Sequence, residues 1–376
     1  MLPALKTDRL SLADVFPSCL AAIAGESNAL RLPPVRTAVV LLVDGLGAAA
    51  LKARSGHART LAGVSGSIDS GFPTTTASAL ATLTTGVRPG IHGMVGYSVL
   101  DAANDRVVNQ LSGWDALIDP RAWQAVPTVF ERAVDAGYRA TVVAPARYDD
   151  SGFTNAVLRG AHYVPAKSIA DRLEAAAALA ATPGAPQLVY VYVPELDQAG
   201  HAHGWQSNEW TTALETVDGA VRDFLAAVGP TVGLIVTADH GVVDVPEYSH
   251  VIYDEDPDLM VGIRHVAGEP RCLQLYFDPS ADDATRESTV AAWRQVEGGR
   301  SWVVTRDEAI AGGWFGEVSD TVRPRIGDLL VAARKGIAYY SSTSSARARQ
   351  MVGQHGSWSP AELQVPLLRL GAFGSA

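Results

Sequence analysis

Several short apolar runs in this sequence stop abruptly at acidic residues, and that pattern restricts the fold more than any other feature. "AVVLLV" (38–43) runs into Asp44-Gly45, and "GLIVTA" (233–238) runs into Asp239-His240-Gly241. "LVYVYV" (188–193) runs into Pro194 and Glu195, then Asp197 and His201. Runs of this length, rich in Val, Ile and Leu, read as strands buried on both faces. "ATVVA" (140–144) is a fourth such run and "DLLVAA" (328–333) a weaker fifth. Helical patterns over 128–136, 168–181 and 209–227 lie between them, the last opening after the cap candidates Ser207 and Asn208. The alternation predicts an α/β fold, a mostly parallel central sheet with helices on both faces. In open parallel sheets ligands gather outside the carboxyl ends of the strands, so the three acidic ends are expected in one crevice.

A chain of 376 residues, 47% hydrophobic and 19% charged, can bury a large core. One domain spanning 1–376 is expected, with the less regular stretch at about 245–325 as a peripheral insertion in which "RCLQLYF" reads as a strand. A net charge of −10 with no basic stripe argues against a nucleic-acid polymer as partner. It leaves small anions open, since a metal site attracts phosphate even in an acidic protein. Cys19 and Cys272 are far apart and read as buried thiols of a reducing compartment. No clean signal-peptide core and no membrane span are visible, so a cytoplasmic location is expected. Nothing in the sequence sets an oligomeric state.

Taken singly, Asp44 before Gly45 also reads as an ordinary turn. Asp239-His240 is stronger, because two adjacent ionisable groups at the end of a buried strand need something to pair them. Asp197 and His201 are four apart, a spacing that puts both on one side of a helical turn. His203 reads as an outer or solvent-facing neighbour. His355 sits between glycines in "GQHGSWSP" and is the natural last member. Six groups make two sets of three, enough for two divalent metal ions. Mixed carboxylate and imidazole donors suit Zn²⁺, with Mn²⁺ or Mg²⁺ as alternatives where carboxylates dominate. Two metals about 3.5–4 Å apart would clamp both oxygens of an in-line phosphoryl displacement.

"VVLLVDGLG", "FPTTTASALATLTTGVRPGIHGMVGY", "YVPELDQAGHAHG", "TADHG" and "GQHG" occur in the order seen in the nucleotide pyrophosphatase/phosphodiesterase family of the alkaline phosphatase superfamily, which the chain resembles from about 38 to 356. The resemblance implies an alkaline phosphatase-like three-layer sandwich. It also implies that Thr76 is the nucleophile, three residues after Pro73 and nine before Thr85-Gly86, at a helix N-terminus that favours phosphate. Thr74 and Thr75 then fix the turn, and His92-Gly93 reads as structural support. Asp44, Asp239 and His240 are implied to bind the metal beside Thr76, with Thr76 among its ligands, and Asp197, His201 and His355 the other metal. Two departures bear on substrate. Ala77-Ser78-Ala79-Leu80 replaces the family's aromatic-Pro-Asn-His, leaving Tyr148 or Phe153 to offer a face to a base. Tyr97 stands where the family has its phosphate-contacting asparagine, and either replaces that contact or packs. The expected activity is a phosphodiesterase cleaving a small phosphodiester through a phosphothreonine intermediate. The alternatives are a phosphomonoesterase, a phosphonate hydrolase of the phosphonoacetate type, and a non-catalytic metal-binding protein. Arg88 and Arg147 are the nearest candidates for a phosphomonoester's extra charge, each reading first as a surface residue.

Overall fold

In a computed structural model describing residues 2–4, 9–64 and 66–375, the apolar runs assemble into a six-stranded sheet. Its strand order is Leu368–Gly371, Val232–Thr237, Thr37–Val43, Gln187–Val193, Arg139–Ala144, His162–Pro165. All neighbours are parallel except Leu368–Gly371, which pairs antiparallel with Val232–Thr237 at one edge. In the middle, Val39 is in register with Val189 on one side and Leu234 on the other. Every residue of Thr37–Val43 is buried, as an unbroken apolar strand requires when helices cover both faces.

The covering helices form two groups. Val15–Ala24, Thr76–Thr85 and Val129–Asp135 pack on one another, and Phe16 meets Phe130 and Tyr190 edge-on. Ile169–Ala181 and Asn208–Ala227 pack together as the second group. Their starts follow local chemistry. Thr128 and Ser168 form capping boxes with Glu131 and Asp171, and Ser207 accepts from the Trp210 N–H.

A second, antiparallel sheet has the order Ile263–Glu269, Cys272–Phe277, Leu329–Ala333, Ser301–Thr305. "DLLVAA", expected with the runs of the parallel sheet, therefore belongs here, between two antiparallel partners. The run is buried on both faces in either setting, so its apolar pattern does not choose the sheet. Alternation divides its side chains. Leu329, Val331 and Ala333 pack in a core with Trp293, while Leu330 and Ala332 join Phe72, Trp314, Phe315 and Trp358. Phe72 and Trp358 stack at 4.8 Å, so this second core lies directly beneath the segment leading to Thr76. Among the described residues, no helix is long and apolar enough to cross a membrane.

Candidate metal centre

The carboxyl ends of the parallel strands bring six side chains together as two groups, Asp44, Asp239 and His240, and Asp197, His201 and His355. Asp44 directly follows Thr37–Val43, and Asp239 and His240 follow Val232–Thr237. These two strands are neighbours, so their ends meet without any further device. Gly45 makes the meeting tight. Its φ is +74°, and a Cβ there would stand 3.0 Å from Asp197 Cα and Cβ. Asp239 Oδ1 accepts from the N–H groups of Gly45 and His240 at 3.2 and 3.0 Å.

His240 Nε2 is the focus of the first group. It lies 3.5 Å from Asp44 Oδ1, 3.5 Å from Asp239 Oδ2 and 3.2 Å from Thr76 Oγ1. The Thr76–Thr85 helix starts at that threonine, after extended Thr75, so the first-turn N–H groups that have no partner within the helix lie at the same end. In the second group, Asp197 and His201 sit on the Glu195–His203 helix, with Nε2 3.1 Å from Asp197 Oδ2. His355 arrives from a remote loop, and its ring stacks on that of His240 at 3.6 Å.

The electrostatics call for cations. Burial, then Asp239 and Asp197, pushes the Asp44 carboxyl well above its ordinary range. Burial opposes ionisation of Asp197 too, but His201 outweighs it and holds that carboxyl below the usual range. His201 is raised in turn, because Asp197 overcomes the effect of its burial. His355 is pushed well below the usual histidine range by burial and by neighbouring His240.

The residues fit a pair of divalent ions. Asp44 Oδ1, Asp239 Oδ2 and Asp197 Oδ1 are buried without a hydrogen-bond partner, which is costly unless a cation lies between them. Each histidine turns Nδ1 to a backbone carbonyl: His201 to Gly353 at 2.7 Å, His355 to Thr74 at 2.8 Å, His240 to Gly241 at 3.2 Å. A carbonyl only accepts, so Nδ1 carries the hydrogen and each Nε2 keeps a lone pair for a metal.

The neighbouring threonines differ in use. Thr74 Oγ1 donates to the Ser357 carbonyl and accepts from the Gly356 N–H, tying the His355 loop to the turn before Thr76. Thr75 caps the helix by backbone conformation alone. A cavity of about 710 Å³ opens over the centre, and Tyr97, Tyr148 and Phe153 all line it. Arg147 lines it as well, exposed and stacked 4.7 Å over Tyr148. Arg88 does not line it. It precedes the Pro89–His92 helix at the far end of the Thr76–Thr85 helix, beside Asp14 and Asp69. The ten-residue helix carries the chain about 15 Å away before Arg88 is reached. His203 is exposed and belongs to neither group. His92 is buried, accepting from the Met94 N–H at Nδ1 and donating from Nε2 to Thr82.

Two contributors escaped the reading of the sequence. The Tyr192 hydroxyl donates to Asp44 Oδ2, and Glu269 from the second sheet reaches His355. Tyr192 had a signal: Tyr190 and Tyr192 alternate in a strand that ends beside Asp44. Glu269 had none, since only the fold brings the two sheets together.

A family model described as type I phosphodiesterase/nucleotide pyrophosphatase matches residues 38–358. No curated protein matches the sequence. Among solved structures, murine ectonucleotide pyrophosphatase/phosphodiesterase 5, in an inactive threonine-to-alanine form with AMP, superposes at a TM-score of 0.68 with 16% identity, covering 89% of this chain and 88% of that one. Phosphonoacetate hydrolase from Sinorhizobium meliloti, in complex with phosphonoacetate, superposes at 0.69 with 16% identity, covering 90% and 91%. At these identities the two structures speak for the fold.

Proposed function

The chain belongs to the type I phosphodiesterase/nucleotide pyrophosphatase family, whose members hydrolyse phosphoric esters, and from that premise we propose that it cleaves a small phosphodiester with Thr76 as nucleophile. The observation that carries this reading is the placement of Thr76 Oγ1, on the first turn of a helix and 3.2 Å from His240 Nε2. Asp44, Asp239 and His240 would hold one divalent ion, with Thr76 at its edge, and Asp197, His201 and His355 the other. Zinc suits this donor set. Such ions, when bound, supply Lewis-acid stabilisation of charge on the attacking and leaving oxygens.

The chain's own groups do the rest. Thr76 Oγ1 forms a bond to phosphorus as the bond to the departing alcohol breaks, giving a phosphothreonine that water then hydrolyses. First-turn N–H groups of the Thr76–Thr85 helix face the phosphoryl oxygens and favour their charge. Tyr97, Tyr148 and Phe153 line the cavity and offer aromatic surface to the alcohol. The murine relative described as inactive carries alanine in place of a threonine, in keeping with a threonine nucleophile here. A diester is favoured because Arg147, at the exposed rim, is the single Arg or Lys among the described residues lining the cavity. A monoester would bring a second negative charge with little to meet it.

A second reading, a phosphonate hydrolase, draws on the comparable superposition with phosphonoacetate hydrolase. Cytoplasmic residence is part of the proposal, in keeping with two buried, unpaired cysteines. The test compares bis(p-nitrophenyl) phosphate, p-nitrophenyl phosphate and phosphonoacetate on one preparation of known metal content, before and after chelation and zinc return. Diester turnover that zinc restores is the expected result. Preferential release of phosphate from phosphonoacetate would replace it with the second reading.

A further inference from the structure

The tip of the hairpin joining Ile263–Glu269 to Cys272–Phe277 reaches the metal centre from the second sheet. Glu269 closes the first of these strands and is 7% exposed. Its Oε2 lies 3.4 Å from His355 Nδ1, and the carboxyl also faces the Thr75 hydroxyl. Contact with the His355 loop is close by design of the backbone. Gly356, at φ +126°, is pressed so tightly against Glu269 that an added Cβ would come within 2.5 Å of its Cδ.

The tip is also anchored. Arg271 grips Glu362 with two bonds of 2.8 Å, both partners buried. Glu362 Oε1 accepts the Ser357 N–H at 3.0 Å, two residues beyond His355. Its backbone carbonyl accepts the Gly241 N–H at 2.8 Å, next to His240. One anchor thus holds the hairpin, the His355 loop and the end of a parallel strand in fixed relation.

We propose that Glu269 is a positioning residue for His355. It shares the Nδ1 hydrogen with the Thr74 carbonyl and fixes the ring so that Nε2 points toward Asp197 and His201. Carboxylates behind metal-binding imidazoles set ring orientation and donor strength in this way. The inference rests on the metal reading above. A glutamate that only filled space would bury a carboxyl behind an imidazole N–H for no return.

The test is zinc titration against a competing chelator, using the full chain. Glu269→Met keeps the volume and removes the acceptor, and Glu269→Gln keeps an acceptor. Glu269→Met should weaken one of two zinc equivalents by about 10–100-fold, and Glu269→Gln should recover much of that loss. In a His355→Ala background, Glu269→Met should add less than about twofold, because partners in one interaction are not additive. Parental affinity at both sites in Glu269→Met would overturn the proposal, as would an undiminished effect without His355. Melting of the metal-free proteins checks folding, and Glu269→Gln carries the test through the double variant if Glu269→Met fails to fold. A parent chain that takes up no zinc would fell the metal reading and this one together. A parent with two equivalents and an unaffected Glu269→Met would fell this one alone.

Discussion

The two clusters at the centre carry the same donor types but are built differently. Asp44, Asp239 and His240 stand on adjacent strand ends, at most 3% exposed, and are braced by backbone N–H groups and Tyr192. Asp197, His201 and His355 are only part-buried, and they combine one helical turn with a loop more than 150 residues away in sequence. The first cluster is fixed by the sheet itself. The second exists only when the 353–357 loop is docked against Thr74 and the second sheet. A metal in the second cluster should therefore be the more labile one, and the two should be separable by substitution.

The largest effect should fall on the attacking group beside the buried cluster. Thr76→Ala should lower turnover by about 10⁴-fold while both metal equivalents remain. Rapid-quench and metal analysis of one sample check this, and undiminished turnover would remove Thr76 from the chemistry. Next, Asp239→Asn should take several kcal/mol of charge stabilisation from the buried cluster, about 10³-fold in turnover, with loss of one metal equivalent. His355→Ala should cost about 10²-fold and release the other equivalent, leaving the buried cluster loaded. Loss of both metals in either variant would show one cooperative site where we see two.

Graded chelation sharpens the same contrast without mutation. One equivalent should leave well before the second, and the protein so depleted should lose activity but little thermal stability. Simultaneous release would mean that burial does not set lability here. The smallest effect belongs to Tyr192→Phe. Removing its hydrogen bond to Asp44 should weaken metal binding at the buried cluster by about 10-fold, and leave the other unchanged. The tyrosine stays protonated as a donor, since burial and then Asp44 push its hydroxyl well above the usual range.

How much of this was readable in advance follows the same division. Asp44 and Asp239-His240 could be read because an apolar run ending in acid is a local pattern, and strand ends gather by the geometry of parallel sheets. Asp197 with His201 was readable from its four-residue spacing. His355 was legible only beside the others and through family likeness. The six-strand order, the antiparallel Leu368–Gly371 edge and the true sheet of Leu329–Ala333 were not readable, because β pairing joins residues distant in sequence. Arg88, read first as a surface residue, stands off the cavity for a related reason: it follows Thr76 closely in sequence, but a helix carries it away.

By itself, then, the sequence determined where the strands stop and which acidic and histidine side chains follow them, since each depends on neighbours within a few residues, while the choice of Thr76 and of His355 leaned on family likeness. Only the tertiary structure decided that a second sheet would pack on Phe72 and Trp358 beneath the segment leading to Thr76, clamp Glu362 with Arg271 and set Glu269 behind His355. Burial and electrostatic pairing act between surfaces, and those surfaces meet only once the chain has folded.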